Sequence, residues 1–348
     1  MKAYVLHAVN DLRYDDIGIP ECPKGWAIVK VRAAGICSSD IARIFTKGTY
    51  HFPTIPGHEF SGEVYSVGDE ADYAFVGKKV GVFPLIPCRK CEQCATKHYE
   101  MCANYDYVGS RRDGGFAEFV AVPAWNLIEL PENISFTSAA TLEPLSVALH
   151  AIKIGHVREG DNVAIIGTGM IGICAGQWAY KFGASNVTVI GRNESKRDLV
   201  EKCGLRYEIC TSKETVCQYD FVLEAVGTPS AIEMAISATS AGGTVLLMGN
   251  PSSGITLSQN LYWRILRKQL VLKGTWNSSF DGQNASDWTE AVAALANGEI
   301  NVEPLISHRL PQDTLADGLR LMLEHKMPYC KIMTIWNESY NWYEYAQK

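Results

Sequence analysis

Four cysteines fall within fifteen residues, spaced Cys88-x2-Cys91-x2-Cys94-x7-Cys102. Thiolates at this spacing can wrap one tetrahedral zinc ion at about 2.3 Å per bond, and such a closed site orders a loop without doing chemistry. An iron–sulfur cluster and an idle thiol cluster are the alternatives, although Cys102 lacks the following proline of the bacterial ferredoxin run. Arg89, Lys90 and Lys97 lie close enough in sequence to be expected to lower the thiol pKa values. Three further segments each offer a metal-competent side chain: Cys37 in Gly35-Ile36-Cys37-Ser38-Ser39-Asp40, His58 and Glu59 in Pro56-Gly57-His58-Glu59, and Glu143 in Leu142-Glu143-Pro144-Leu145. Taken singly, Cys37 reads equally as a core cysteine, His58 as a turn histidine, and Glu143 as a carboxylate favoured by a helix N-terminus. Ser39-Asp40 reads equally as a helix cap.

A second chemistry lies further along. The apolar run Asn162–Ile166 enters Gly167-Thr168-Gly169-Met170-Ile171-Gly172 and then an apolar helix. Glycines between a strand and a helix let the backbone turn tightly and approach a pyrophosphate at the helix N-terminus, so the motif predicts a dinucleotide site. An NAD site usually ends its next strand in Asp or Glu, which holds the ribose diol. Here Val187-Thr188-Val189-Ile190 ends in Gly191-Arg192. Gly191 removes the repulsion that an acid would impose on a 2′-phosphate, and Arg192 offers that phosphate a fork of donors. NADP is therefore favoured over NAD, with Glu194 the residue that could restore the ribose contact. Ala225-Val226-Gly227, Met248-Gly249 and Thr275 follow later strands and should line the same cleft.

These groups need rigid elements to hold them, and the 348 residues suffice for two domains. The chain is 47% hydrophobic and 20% charged, which excludes a disordered chain or a coiled coil. A net charge of −6 argues against a nucleic-acid partner, and no apolar run reaches the ~18 residues of a membrane span. The start, Met1-Lys2-Ala3-Tyr4-Val5, lacks the apolar core of a signal peptide, so a cytoplasmic location is expected. In that reducing setting the eleven cysteines predict metal binding and buried thiols rather than disulfides. Before about residue 155, β-like runs such as Ala27–Val31 and Lys79–Val82 alternate with Gly and Pro turns. After it, strand candidates 162–166, 186–190, 221–225, 244–248 and 269–273 alternate with helical or loop stretches, as in parallel βαβ units. The expected fold is α/β: a Rossmann doubly wound parallel sheet domain (155–287) plus a mainly-β catalytic domain (1–154) with a zinc lobe at 86–104. Residues 288–348 return to the first domain, through a helix at 288–297, an amphipathic stretch at 315–324, a strand at 331–335 and a Trp- and Tyr-rich tail.

Cys37, Gly57-His58-Glu59, the cysteine lobe and the glycine motif stand in the order found in the zinc-dependent medium-chain dehydrogenases, and the chain resembles that family over nearly its whole length. Glu143-Pro144-Leu145-Ser146-Val147-Ala148-Leu149-His150 is similar to the polyol dehydrogenase branch. The resemblance implies a GroES-like catalytic domain and two zinc ions, one structural on the four thiols and one catalytic on Cys37, His58 and Glu143, with Glu59 beside it. It implies Ser39 as a proton relay, Asp40 as the group orienting His58, and transfer of a hydride from a secondary alcohol to nicotinamide. Ser38 departs from the glycine of many relatives. Tyr105–Phe119 contains Arg111-Arg112-Asp113-Gly114-Gly115, which resembles a branch member acting on a hexitol phosphate such as galactitol 1-phosphate, with tagatose 6-phosphate as product. Arg111 or Arg112 would then clamp the phosphate; local ion pairing is their other reading. The resemblance also implies a homodimer or homotetramer. A free polyol, butanediol or threonine dehydrogenase, and a non-catalytic nucleotide-binding protein, are the competing functions.

Overall fold

A computed structural model describes residues 1–210, 218–251, 253–282, 286–325 and 327–336. Of the Trp- and Tyr-rich tail, residues 337–348 lie outside them, as does Cys217. The chain divides into two compact units. Unit 1 takes Met1–Glu143, Ser279–Ala296 and the chain from Ile306; unit 2 takes Pro144–Ser278 and Asn297–Leu305. The cut falls inside the helix Leu142–Gly155 rather than at residue 155. A boundary drawn where the strands change character misses the helix that leads into them: Leu145 accepts a hydrogen bond from the indole of buried Trp178, in unit 2.

Unit 1 is built on the strand Trp26–Ile36, whose apolar positions pack into a core with Val64, Val80, Val120 and Val122. It pairs antiparallel with Glu59–Val67, Phe119–Pro123 and Lys331–Ile335. The full sheet runs Ile306–Pro311, Lys331–Ile335, Trp26–Ile36, Glu59–Val67, Lys79–Val82, Leu127–Glu129. The returning C-terminal segment thus supplies two strands of the sheet that carries residues 37 and 59. A two-stranded ribbon, Leu85–Ile86 against Asp106–Tyr107, brackets the cysteine lobe.

Unit 2 holds a six-stranded parallel sheet in the order Arg206–Ile209, Asn186–Gly191, Asn162–Ile166, Tyr219–Glu224, Thr239–Leu247, Val271–Gly274. The order reverses beside 162–166, the position at which open α/β sheets bind ligands. The strand 206–209 adds to the five expected ones; with only four residues and polar positions at 206 and 208, it is too short and too polar to stand out. Gly167 has φ +124°, and a Cβ on Gly172 would overlap the Gly167 carbonyl oxygen. The helix Met170–Lys181 therefore sits on the turn with no room for a side chain. Gly172→Ala is expected to destabilise the fold by about 1–3 kcal/mol, read as a fall of several degrees in Tm by calorimetry; an unchanged Tm would show that the turn yields freely.

Candidate active site and cofactor cavity

Backbone close to backbone places His58. Gly57 has φ +97°, and a Cβ on Gly109 or Gly114 would overlap the Gly57 carbonyl oxygen. Gly114, Gly115 and Phe116 donate N–H bonds to the carbonyls of Ile55, Gly57 and Pro56 at 2.7, 2.8 and 3.1 Å. Asp113 Oδ1 accepts from the Ile55 N–H at 2.9 Å. The Asp-Gly-Gly run is thus a cradle for the 55–58 turn. Cys37 caps the short helix Ser38–Ala42, and its N–H donates to Asp40 Oδ2 at 3.0 Å. The other oxygen of fully buried Asp40 stands 3.4 Å from His58 Nδ1. Asp40 therefore caps the helix and faces the imidazole at once, leaving Nε2 as the ring atom for a metal.

Ligand atoms of Cys37, His58 and Glu59 all lie within 4.8 Å of one another. Sulfur, imidazole nitrogen and carboxylate oxygen at that separation suit a zinc ion with an open position. The carboxylate in this set is Glu59, not Glu143. Glu143 lies alongside, accepting a hydrogen bond from the buried Tyr107 hydroxyl at 3.2 Å. Glu59 reaches the set because its strand starts there: it is paired with Gly35, and a Cβ on Gly35 would come within 2.5 Å of Glu59 Oε2.

Charges in this buried pocket are matched. Lys331, 4% exposed, pairs with Glu59, 1% exposed, and donates to the Ile36 carbonyl at 3.2 Å. Burial opposes the lysine charge, yet the Glu59 carboxylate outweighs it and raises the pKa. Burial also works against charge on His58 and Asp40; their mutual attraction, with Cys37 beside the ring, raises the histidine pKa well above its usual value and holds Asp40 below its own. Desolvation raises Glu143, and desolvation with the Glu143 charge raises Tyr107 further.

Cys88, Cys91, Cys94 and Cys102 form a second cluster, also within 4.8 Å of one another. Their sulfurs lie 3.5 Å (91–94), 3.8 Å (91–102) and 3.9 Å (88–94) apart. A zinc tetrahedron with bonds of about 2.3 Å has edges of about 3.8 Å, so the thiols fit that ion. Backbone N–H groups lower Cys88 and Cys91, and burial raises Cys94 and Cys102; the nearby cations are not among the leading causes. The N–H groups of Cys94 and Ala103 lower Cys91 to about 6, while burial pushes Cys94 up to about 12. Arg89 lies over the Trp125 ring at 4.5 Å.

In unit 2 a cavity of ≈ 730 Å³ opens at the strand tips, lined by Gly167, Gly169, Gly191, Arg192, Ala225 and Val226 among others. A Cβ on Gly169 would meet nothing within 4 Å, so the backbone is bare where a pyrophosphate would approach. Met170, Ile171 and Gly172 form the first helical turn behind it. Gly227, Met248 and Gly249 do not line the cavity; their N–H groups all bond Glu224, tying two strand tips together. Thr275 lies beyond the lining, with its hydroxyl oxygen buried and unpartnered, as is Asn277 Nδ2. Such orphaned groups fit a polar ligand that the residues around them do not satisfy.

Residues 23–132 match the alcohol dehydrogenase GroES-like domain family and residues 171–297 the zinc-binding dehydrogenase family. Galactitol 1-phosphate 5-dehydrogenase of Escherichia coli is 33% identical over 339 residues, 94% of this chain and 98% of that protein. The chain belongs to the zinc-binding, medium-chain alcohol dehydrogenases. The crystal structure of the Escherichia coli enzyme superposes with a TM-score of 0.89, covering 96% of this chain and all of that one. A zinc-binding dehydrogenase of Sinorhizobium meliloti bound to NADP, 28% identical, gives 0.87 over 96% and 98% of the two chains. L-threonine 3-dehydrogenase of Idiomarina loihiensis is 29% identical over 91% of this chain and 95% of its own.

This medium-chain dehydrogenase is a zinc-dependent, nicotinamide-linked enzyme acting on small alcohols or polyols. No described helix is long and apolar enough to cross a membrane. The arginine pair behaves otherwise than expected of a clamp. Arg112 pairs with Asp106 at 2.5 Å and lies over Trp26. Arg111 is stacked between Tyr50 and Tyr105 at 4.2 and 4.4 Å, donating to the Tyr105 carbonyl at 2.7 Å. Sequence reading missed Lys331, Tyr107 and Arg43; Lys331 and Tyr107 reach the site through distant strands and loops, whereas Arg43 sits one helical turn past Ser39. In the purified chain we expect two zinc ions, His58→Ala to leave one and abolish turnover, and Cys94→Ser to remove the other and lower Tm. Elemental analysis checks this; two ions retained in His58→Ala would remove the triad from the metal site.

Proposed function

We propose that the chain oxidises a secondary hydroxyl of a hexitol phosphate, in the manner of galactitol 1-phosphate, with NADP as hydride acceptor. The observation behind the reaction is the buried set of Cys37, His58 and Glu59 ligand atoms within 4.8 Å of one another. Cys37 and His58 would hold a zinc ion, with Glu59 the nearer carboxylate and Glu143 the further one. When bound, the ion supplies Lewis acidity that brings a hydroxyl pKa toward neutrality. Asp40 orients His58 for that task. Ser39, partly buried and two residues past Cys37, takes the hydroxyl proton; Arg43 already donates to its oxygen at 2.8 Å, which leaves the Ser39 hydrogen free to pass outward. The substrate hydride leaves for the nicotinamide ring, so carbinol and NADP become ketone, NADPH and a proton.

Cofactor choice has its own support. A Cβ on Gly191 would fall on the Tyr207 hydroxyl and 2.7 Å from its Cζ, so an acid at the strand tip would have to displace the Tyr207 ring. Tyr207 donates to the Asn193 carbonyl and is covered by Arg197 at 5.0 Å. Glu194 is held by Arg197 at 2.5 Å. Arg192 lines the cavity and has no ion-pair partner among the described residues. At the strand tip a ribose carrying a 2′-phosphate would therefore meet a guanidinium without an acid beside it; the carboxylate lining the cavity is Glu233, on the helix Pro229–Ala238.

Turnover followed at the nicotinamide absorbance tests both parts. We expect kcat/KM to favour galactitol 1-phosphate over galactitol, sorbitol, butanediol and L-threonine, and NADP over NAD. Arg192→Ala should raise KM for NADP by about 10- to 100-fold, the scale of a lost charge-assisted bond, with little change for NAD. Preference for threonine or a free polyol would sink the substrate reading, and preference for NAD the cofactor reading.

A further inference from the structure

We infer that Arg43 is the residue that binds the substrate phosphate. The inference rests on the reading above that the substrate carries one. Arg43 Nη1 donates to Ser39 Oγ at 2.8 Å and stands 3.4 Å from Asp40 Oδ1. Nε and Nη2 have no acceptor among the described residues, and the side chain is one quarter exposed. Arg43 opens a π-helical turn, Arg43–Lys47, immediately after the helix Ser38–Ala42. Such turns re-aim side chains and recur at functional sites.

Three other cations nearby are held by neighbours, and Lys47, at the far end of the same turn, is exposed to water. Lys331 is buried against Glu59 and the Ile36 carbonyl. Arg112 is neutralised by Asp106, and Arg111 is fixed between two tyrosine rings with both Nη atoms bonded, its buried Nε being without a partner among the described residues. The carboxylates at this site, Asp40, Glu59 and Glu143, would repel a phosphate dianion. A guanidinium fork with two unused sides is the group that suits it. Ser39 is one hydrogen bond from the reacting oxygen in the proposed mechanism, so the guanidinium lies about two hydrogen bonds, ~6 Å, from that oxygen. A hexitol bound in a bent conformation can bring its terminal phosphate to that distance.

The test compares the ratio of kcat/KM for galactitol 1-phosphate to that for galactitol. The ratio cancels any effect of Arg43 on the proton route through Ser39. In Arg43→Gln it should fall by about 10- to 100-fold, and in Arg43→Lys by less, because charge survives without the fork. Arg111→Gln and Arg112→Gln should keep the wild-type ratio. With NADP saturating, inorganic phosphate should give a calorimetric binding signal in the wild type that is lost in Arg43→Gln, whose melting curve reports that it is folded. An unchanged ratio in Arg43→Gln, or a fall in Arg111→Gln or Arg112→Gln in its place, overturns the inference while leaving the phosphate reading intact. A wild type indifferent to the phosphate overturns the substrate reading and this inference with it.

Discussion

A buried ammonium beside the candidate metal ligands sets the terms for this site. Cys37, Glu59 and Glu143 can each carry negative charge, and His58 and Glu59 are almost wholly removed from water. Lys331 answers that charge from the last strand of the sheet, whose pairing sets Ile332 opposite Ile36 and so brings Lys331 level with Cys37. Gly35 supplies the gap: the Lys331 stem passes 3.3 Å from where its Cβ would be, and the Glu59 carboxylate lies against the same spot. A buried carboxylate stripped of its partner costs about 3–5 kcal/mol. The C-terminal segment is therefore not a trailing appendage. Its strand joins the sheet and sets an ammonium against the buried Glu59 carboxylate.

The same economy of backbone shapes the loop that carries His58. Glycines 57, 109 and 114 meet with no side chains between them. The turn before His58 is held by the N–H groups of Gly114, Gly115 and Phe116 and by the Asp113 carboxylate. The Arg-Arg-Asp-Gly-Gly run thus works through its last three residues, which position the candidate metal ligand His58. Its two arginines brace the surrounding loops, through Asp106 and Trp26 on one side and Tyr50 and Tyr105 on the other.

What could be read from sequence follows from the range of the interactions. The four-cysteine lobe and the Gly167–Gly172 turn are local patterns: spacing alone brings their atoms together, and the structure sets the sulfurs on a zinc-sized tetrahedron. Strands 79–82, 162–166 and 331–335 were legible at the residue because turns or charged residues punctuate them. Lys331 was not, since 272 positions separate it from Glu59. The choice between Glu59 and Glu143 depends on sheet register, which no spacing encodes. The arginine pair read equally as a clamp or as local ion pairs; Asp106 and Tyr105 hold it locally, and Tyr50 and Trp26, far earlier in the chain, complete its setting. The domain boundary slipped because helix Leu142–Gly155 carries Glu143 for one unit and Leu145 for the other.

The tip of the second strand in the nucleotide-binding sheet shows local and distant constraints converging. Read locally, Gly191 is an acid left out. In the fold, Tyr207 from the neighbouring strand fills that volume, its hydroxyl donating to the carbonyl of Asn193 and its ring covered by Arg197. Arg197 in turn draws Glu194 to itself. One aromatic ring therefore fills the space an acid at 191 would take, and the cation stacked on it occupies the nearest acid at 194. Arg192 is left on the cavity wall without an ion-pair partner among the described residues. Replacing Gly191 with Asp alone would not recreate a ribose-binding acid, because the new side chain would have to displace the Tyr207 ring before it could reach the cavity.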